Sequence, residues 1–305
     1  MKGFLKGKSY PWSADILVYI LFLVFSSVVS GLVLYATGID FPGDTLMSLN
    51  YLLSFGILLA LSFAYRAVRI GSTGSSAGVA GFMRVSNPKM ALLGVAMMFA
   101  VQVVTEPLTN MAPEAERSYY DMLSAMGPWM VLTSVIAAPI AEELFFRAVL
   151  AGDVATVRGA VPAAFLSSVI FAAAHFSHWV QVVPAFLGGL VLAYVFLSTR
   201  SVWCAVFVHF VNNLVSQLYF LYSPSYESFS RPLYGMISNG LVYGFVYATA
   251  AMLLVVVLVI GYVRLSRRYG RKAESYRASE PEAVVEAVEE RPRIISEEGL
   301  EDTYL

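Results

Sequence analysis

Residues 159–199 read GAVPAAFLSSVIFAAAHFSHWVQVVPAFLGGLVLAYVFLST, a stretch without one Asp, Glu, Lys or Arg. A membrane-spanning helix needs about 20 mostly apolar residues, because the hydrocarbon core is about 30 Å thick. At about 1.5 Å per helical residue this stretch is long enough for two crossings. We therefore expect two membrane helices here, joined by a turn near residues 177–179.

The rest of the chain repeats this pattern. Six further runs lack Asp, Glu, Lys and Arg: 16–39, 45–65, 90–105, 122–141, 201–226 and 232–263. The run 90–105 is the shortest, and it can cross a membrane only if its flanks contribute. Together with the two crossings above, these runs predict an all-α, polytopic membrane helical bundle of about eight transmembrane helices.

The composition excludes several classes of protein. Of the 305 residues, 58% are hydrophobic and only 13% are charged, whereas soluble domains are about 25% charged. This excludes a disordered chain, a nucleic-acid binder with a broad basic face and an ordinary cytosolic enzyme. Cys204 is the single cysteine, which excludes an intramolecular disulfide framework and a multi-cysteine zinc site.

The basic residues indicate the orientation, because cytoplasmic loops are enriched in Lys and Arg. With eight spans, one side of the membrane receives the following residues: Lys2, Lys6, Lys8, Arg66, Arg69, Arg84, Lys89, Arg147, Arg158, Arg200, Arg264, Arg267, Arg268, Arg271 and Lys272. The opposite loops hold only Arg117 and Arg231, beside several acidic residues. We therefore expect a multi-pass protein of the cell (inner) membrane, with both termini in the cytoplasm.

Two adjacent glutamates and an arginine interrupt the apolar body. Ionisable groups inside a membrane are costly and are functional candidates. Glu143 and Arg147 are four residues apart and share a helix face, so they can form an ion pair. Glu142 faces elsewhere and would then be free for a histidine, a water or a metal. Alternatively, the helix ends at the cytoplasmic boundary and all three side chains reach the headgroups.

The three histidines lie in the second half of the apolar body. His209 and Asn213 share a face of the seventh span; a histidine can accept a proton or bind a metal, and an amide can donate to an oxyanion. Both could equally serve as interhelical hydrogen-bonding groups. His175 lies within the fifth span and is the stronger candidate for chemistry, while His178 at its end is expected to be interfacial.

Three ordered motifs carry a resemblance to a known family. Residues 142–147 (EELFFR) resemble an EExxxR motif, residues 171–175 (FAAAH) resemble FxxxH, and residues 209–213 (HFVNN) resemble HxxxN. Each motif is weak alone, but the ordered set on successive spans is specific. It resembles the CPBP family of intramembrane proteases, also called the CAAX prenyl protease-like or Rce1/Abi family, over roughly residues 125–225.

The resemblance implies a bundle with a conical polar cavity that opens toward the cytoplasm. In that cavity Glu142 and His175 would activate a water for attack on a peptide carbonyl. His209 and Asn213 would stabilise the oxyanion, with Glu143 and Arg147 in support. A metallo-type and a glutamate-type mechanism both stay open. Glu142, His175 and His209 are candidate zinc ligands, but no further ligand can be placed, which favours Glu142 as the general base.

These observations lead to a division of the chain into four parts. They are N-terminal membrane helices (1–121, about three spans), a CPBP-like catalytic core (122–225), a last transmembrane helix (226–272) and an acidic, disordered soluble tail (273–305). The tail holds ten of the chain's 21 acidic residues, and few aromatic residues, a composition typical of disorder.

The favoured function is an intramembrane endopeptidase whose substrate is a membrane-associated or lipidated peptide. Its expected partners are that substrate and the lipid bilayer, and no nucleic acid. The alternative is a non-catalytic membrane scaffold or a bacteriocin-immunity, self-protection protein that uses the same cavity. A small-solute or ion carrier is motivated only by the buried Glu and His residues.

Overall fold

The computed structural model describes residues 12–73, 87–176, 179–223 and 225–278. Every element in these ranges is helical. The α-helices are α1 (Trp12–Ala36), α2 (Gly43–Thr73), α3 (Pro88–Asn110), α4 (Pro113–Ser124), α5 (Pro128–Leu132), α6 (Ala138–Glu142), α7 (Gly152–Arg158), α8 (Ala160–Ala174), α9 (Val182–Thr199), α10 (Val202–Leu221), α11 (Tyr226–Phe229), α12 (Leu233–Met236) and α13 (Gly240–Ala278). The all-α bundle is thereby confirmed.

Within the described ranges, seven helices are long and apolar enough to cross a membrane. They include the third span, which was predicted from the shortest uncharged run, 90–105. The structure extends this span to Pro88–Leu108. The predicted pair within 159–199 forms two helices, α8 and α9. However, α8 has 15 residues and so measures about 22 Å, less than the hydrocarbon thickness. The eighth predicted crossing is therefore a short helix that packs against α9.

The fourth span differs from its prediction at both ends. It was expected over 122–141, but residue 122 belongs to α4, and the membrane helix begins after Gly127 and covers Pro128–Ala155. Pro128 is well suited to the first turn, where a backbone N–H has no helical partner. The span continues beyond the two glutamates, which therefore lie at its middle. The alternative of a helix end at the glutamates is wrong.

The backbone of this span is helical throughout, but two π-helical segments interrupt its α-helical winding. We call it the interrupted helix. The segments are Thr133–Ala137, between α5 and α6, and Glu143–Ala151, between α6 and α7. Pro139 lies two residues after the end of the first segment; a proline inside a helix removes one hydrogen bond and crowds the carbonyl of the preceding turn. Such local rewinding is common at functional sites.

The helices pack around two buried clusters. The larger joins α3, α7, α8, α9, α10 and α13, and it includes Cys204. There α3 approaches its neighbours closely, since a Cβ on Gly94 would lie 2.7 Å from Val195 and 2.8 Å from Val208. The smaller cluster packs α1 and α2 against the second π-helical segment through Tyr19, Leu58, Phe145, Phe146, Val149, Leu150 and Phe171.

Large apolar side chains are exposed along the outer helices. On α1 they are Leu17, Leu21, Val24, Phe25, Val28 and Leu32, each more than half exposed. On α13, Leu241 is 87% and Phe245 73% exposed. Such surfaces suit contact with lipid, because soluble proteins rarely expose large contiguous apolar patches. Together with the seven long helices, they identify a multi-pass membrane protein.

The two ends of the bundle differ in charge. At one end Arg66 of α2 pairs with Asp153 of α7 at 2.8 Å, and Arg268 of α13 lies 3.5 Å from the Ser198 carbonyl. At the other end Asp44 of α2 accepts hydrogen bonds from the first backbone N–H groups of α5. The helix order thus gathers basic residues at one end, as the predicted orientation requires.

The proposed division of the chain stays a prediction. Helix α13 continues to Ala278, six residues into the segment assigned to the tail. The remainder of that tail, residues 279–305, lies outside the described residues, as does His178.

Candidate active site

The interrupted helix carries Glu142 and Glu143 near its middle, far from either end of the span Pro128–Ala155, and the two carboxylates have different surroundings there. Glu143 is fully buried, whereas Glu142 keeps 8% of its surface exposed. Isolated charges at such a depth are costly. Each carboxylate is therefore expected to have a partner, and the structure provides different partners for each.

Glu143 contacts two side chains, Arg147 and His209, of which Arg147 lies on the same helix. Its Oε2 lies 3.0 Å from Nε of Arg147, also fully buried; the pair is close, but the N–H is not aligned for a hydrogen bond. The guanidinium is further held by the Gly189 carbonyl at 3.4 Å and lies 4.7 Å above the Phe171 ring. The Glu143–Arg147 pair expected from the spacing is thus formed, and it occupies one oxygen of Glu143.

His209 of α10 lies between the two glutamates. Its Nδ1 is 2.9 Å from Oε1 of Glu143, and its Nε2 is 3.8 Å from Oε2 of Glu142. An ionised carboxylate can only accept a hydrogen bond, so Nδ1–H of His209 donates to Oε1 of Glu143. The second distance is too long for a hydrogen bond and is of the kind that a water often bridges. Glu143 therefore orients His209 so that its Nε2 faces Glu142.

The other oxygen of Glu142 has a partner that the motifs did not indicate. The hydroxyl of Tyr51, on α2, donates to Glu142 Oε1 at 2.7 Å. Tyr51 lies in an uncharged run that looked like any other membrane span. Nothing in the sequence marked it, because its contact depends on how α2 packs on the interrupted helix.

His175 lies near this group but is joined to it through an aromatic ring. Its Nδ1 is 2.8 Å from the Phe171 carbonyl, so Nδ1 donates and Nε2 keeps a lone pair in the neutral ring. The centroid of the Phe171 ring lies 4.6 Å from that of the His175 ring and 5.8 Å from that of the His209 ring. His175 at the end of α8 and His209 on α10 thus contact the same phenyl ring.

Asn213 lies one turn beyond His209 on α10. Its Nδ2 donates to the Ser134 carbonyl at 2.9 Å, within the first π-helical segment. Its Oδ1 accepts from Asn212 at 3.2 Å. A primary amide carries two N–H groups, so the bond to Ser134 orients the amide while one hydrogen remains.

The candidate zinc ligands do not form a suitable set. Within the described ranges, no group of three His, Cys, Asp or Glu residues could hold a metal ion. His209 and Glu142 approach each other at 3.8 Å, and the Nδ1 atoms of both histidines are engaged elsewhere. The requirement for zinc stays a prediction.

An apolar groove lies on the outside of the same helix pair that carries Tyr51 and Glu142. It has a volume of about 530 Å³ and runs between α2 and the first half of the interrupted helix. Its lining residues are Thr45, Ser48, Leu49, Leu52, Trp129, Leu132, Thr133, Ile136 and Ala137. They lie toward the acidic end of the bundle. This groove therefore differs from the expected conical polar cavity, which was to open toward the cytoplasm.

Comparisons with known proteins agree with the motifs. Residues 124–215 match the family model described as "Type II CAAX prenyl endopeptidase Rce1-like". The chain is 28% identical over 102 residues to a Bacillus subtilis (strain 168) protein named "Putative membrane peptidase YdiL".

The matched regions are partial. The match to the Bacillus protein covers 33% of this chain and 40% of the relative. No solved structure matches the chain. The family model nevertheless spans all three motifs, and these are the residues that form the site above. Residues 124–215 are thus similar to the Rce1-like family in the part of the chain that carries the three motifs.

Proposed function

We propose that this protein is an intramembrane peptidase in which Glu142 is the general base. The observation that carries the proposal is the arrangement around His209, whose two ring nitrogens face the two glutamates. Glu143 is engaged on both oxygens, whereas Glu142 has one oxygen directed at a gap of 3.8 Å. A base must reach the proton that it removes, and only Glu142 meets that requirement.

The proposed reaction begins with a water in the gap beside Glu142. Glu142 takes one proton of the water, the other hydrogen of the water donates a hydrogen bond to Nε2 of His175 and stays on the oxygen, and the water oxygen bonds to the peptide carbonyl carbon. The carbonyl oxygen becomes an oxyanion, which accepts hydrogen bonds from the amide of Asn213 and from Nε2–H of His209, whose ring stays in the imidazolium form, with a proton on both nitrogens, throughout the reaction. Glu142 then returns its proton to the departing nitrogen as the C–N bond breaks, releasing a carboxylic acid and an amine.

The supporting pair prepares this geometry before substrate arrives. Glu143 fixes the ring of His209, and Arg147 fixes Glu143. Because donors positioned in advance need no reorganisation during the reaction, they stabilise the transition state more effectively than mobile ones. The roles of Glu143 and Arg147 are therefore structural, while Glu142, His175, His209 and Asn213 contact the reacting atoms.

The substrate class follows from the groove. Its apolar lining includes Leu52, Trp129, Leu132 and Ile136, each more than 40% exposed. A chain entering there comes from the lipid, and Ala137 lies five residues before Glu142. We infer that the substrate is a membrane-embedded segment or a lipidated peptide.

The test is cleavage of a quenched fluorescent peptide carrying a hexadecyl anchor by the purified protein in liposomes. We expect Glu142→Ala and His175→Ala to abolish cleavage without lowering the unfolding temperature appreciably. Glu227→Ala removes an exposed glutamate from α11 and is the matched control, with unchanged activity. Cleavage that persists in both active-site variants contradicts the mechanism. Variants that lose cleavage but keep the protein's cellular role favour the scaffold alternative.

We further propose that the protein lies in the cell membrane and that the basic end of the bundle faces the cytoplasm. Arg66, Arg158 and Arg268 lie at that end, and cytoplasmic loops carry the excess of Lys and Arg. The check is a pair of C-terminal fusions. A fluorescent protein that matures in the cytoplasm is expected to be active, and a phosphatase that needs the outer side is expected to be inactive. The reverse result refutes this orientation.

A further inference from the structure

Helix α2 lies outside the segment that matches the family model, yet it supplies the hydroxyl that bonds Glu142. We propose that Tyr51 is a positioning residue that fixes the carboxylate of Glu142 for the reaction. This inference rests on the proposed function, in which Glu142 is the base. It adds a residue that none of the three motifs contains.

The bond assigns different roles to the two oxygens of Glu142. Oε1 accepts the Tyr51 hydroxyl at 2.7 Å, and Oε2 faces Nε2 of His209 across 3.8 Å. Since a carboxylate only accepts, the tyrosine is the donor. With Oε1 engaged, Oε2 is the oxygen that takes the proton from water. The Tyr51 hydroxyl thus determines both the position of the Glu142 carboxylate and which of its oxygens takes the proton.

The hydroxyl is itself held in place. The Tyr51 ring stacks on Phe55, one helical turn further along α2, with centroids 4.7 Å apart and planes 27° apart. Phe55 in turn packs against the cluster that joins α1 and α2 to the second π-helical segment. A glutamate side chain has several rotatable bonds, and reaction rates fall steeply when a catalytic group is misplaced. A rigid donor on a neighbouring helix removes that freedom.

The chain offers a matched control for this contact. The Tyr19 hydroxyl donates to Oδ2 of Asp153 at 2.6 Å, so it also forms a short bond from a tyrosine to a carboxylate between two helices. That contact lies at the basic end of the bundle, away from Glu142. Tyr19→Phe and Tyr51→Phe therefore remove the same chemical group and differ in whether the base loses its partner.

The experiment compares both variants with the hexadecyl-anchored peptide in liposomes. We expect Tyr51→Phe to lower kcat by about 10- to 100-fold, the range of one charge-assisted hydrogen bond, and to leave KM within about twofold. Tyr19→Phe is expected to keep wild-type kcat.

Several results overturn the inference. They are a wild-type kcat in Tyr51→Phe, a change confined to KM, and an equal loss of kcat in Tyr19→Phe. Failure of the proposed function is a separate result, because it requires that Glu142→Ala and His175→Ala retain cleavage. If Glu142→Ala is inactive while Tyr51→Phe is normal, only the role of Tyr51 is refuted.

Discussion

Removing Arg147 should destabilise the protein strongly, because it leaves a carboxylate buried without its counter-charge. Arg147 and Glu143 are both fully buried, and their charged atoms are 3.0 Å apart. In Arg147→Met the side chain keeps much of its length but loses its charge. Glu143 would then keep only His209 as a charged or chargeable neighbour in direct contact.

The magnitude follows from the burial of both groups. Breaking a buried ion pair by removing one partner typically costs about 3–5 kcal/mol, whereas replacing both partners by groups of similar size is often neutral. An interhelical hydrogen bond in a membrane averages only about 0.6 kcal/mol, so the loss of the Gly189 contact is a minor contribution. We therefore expect Arg147→Met to lower the free energy of unfolding by about 3–5 kcal/mol.

The double variant Glu143→Gln/Arg147→Met separates charge from packing. A glutamine keeps an oxygen that can accept from His209 Nδ1, but it carries no charge. We expect this variant to recover most of the lost stability, to within about 1 kcal/mol of wild type. The assay is reversible unfolding in mixed micelles, monitored by circular dichroism across a denaturant series. A single variant as stable as wild type, or a double variant no more stable than the single one, would falsify the reasoning.

Two further predictions concern acidity and metal. Burial raises the pKa of Glu116 in α4 above its ordinary value of 4.5, with Glu106 adding to it and a hydrogen bond from Tyr226 opposing it. The folded state therefore binds this proton more tightly, and the stabilisation is complete below pH 4.5 and lost as the pH rises through the folded value. Glu116→Gln should raise the thermal unfolding temperature slightly at pH 7 and leave it unchanged at pH 4, and equal shifts at both pH values contradict this sign. Cleavage should survive chelation with EDTA, because no three His, Cys, Asp or Glu side chains within the described ranges could hold a metal ion together. A loss of cleavage that zinc reverses, with one zinc per chain by mass spectrometry, would favour the metallo-type mechanism instead.

The fold could be predicted from the sequence where the signal was the absence of charge. Uncharged runs identified the long helices, including the third span, because insertion into lipid depends mainly on hydrophobicity along one segment. The ends were less accurate. The fourth span began at Pro128 rather than near residue 122 and continued beyond the glutamates. Its charged residues are tolerated inside the membrane because partners on other helices neutralise or bond them, and a count of charges along one helix cannot include such partners.

The site was predictable to the extent that its contacts are local. The pair Glu143–Arg147 follows from helical spacing, and the structure forms it. The contact of His209 with Glu143 spans 66 residues and that of Tyr51 with Glu142 spans 91. Such contacts depend on which helices become neighbours, which spacing does not specify. The ordered motifs supplied His209 through resemblance, whereas Tyr51 belongs to no motif and was missed.

The different partners of the two glutamates explain how two adjacent carboxylates can be accommodated in the middle of a long apolar helix. If both faced the same surroundings, their repulsion at low dielectric would leave one of them protonated. Here Arg147 balances Glu143, while Glu142 receives a hydrogen bond from Tyr51 and faces an imidazole. The helix that carries both residues changes from α to π winding between them. The boundary between the two windings therefore coincides with the division between a base that faces the gap and a buried carboxylate that holds the histidine.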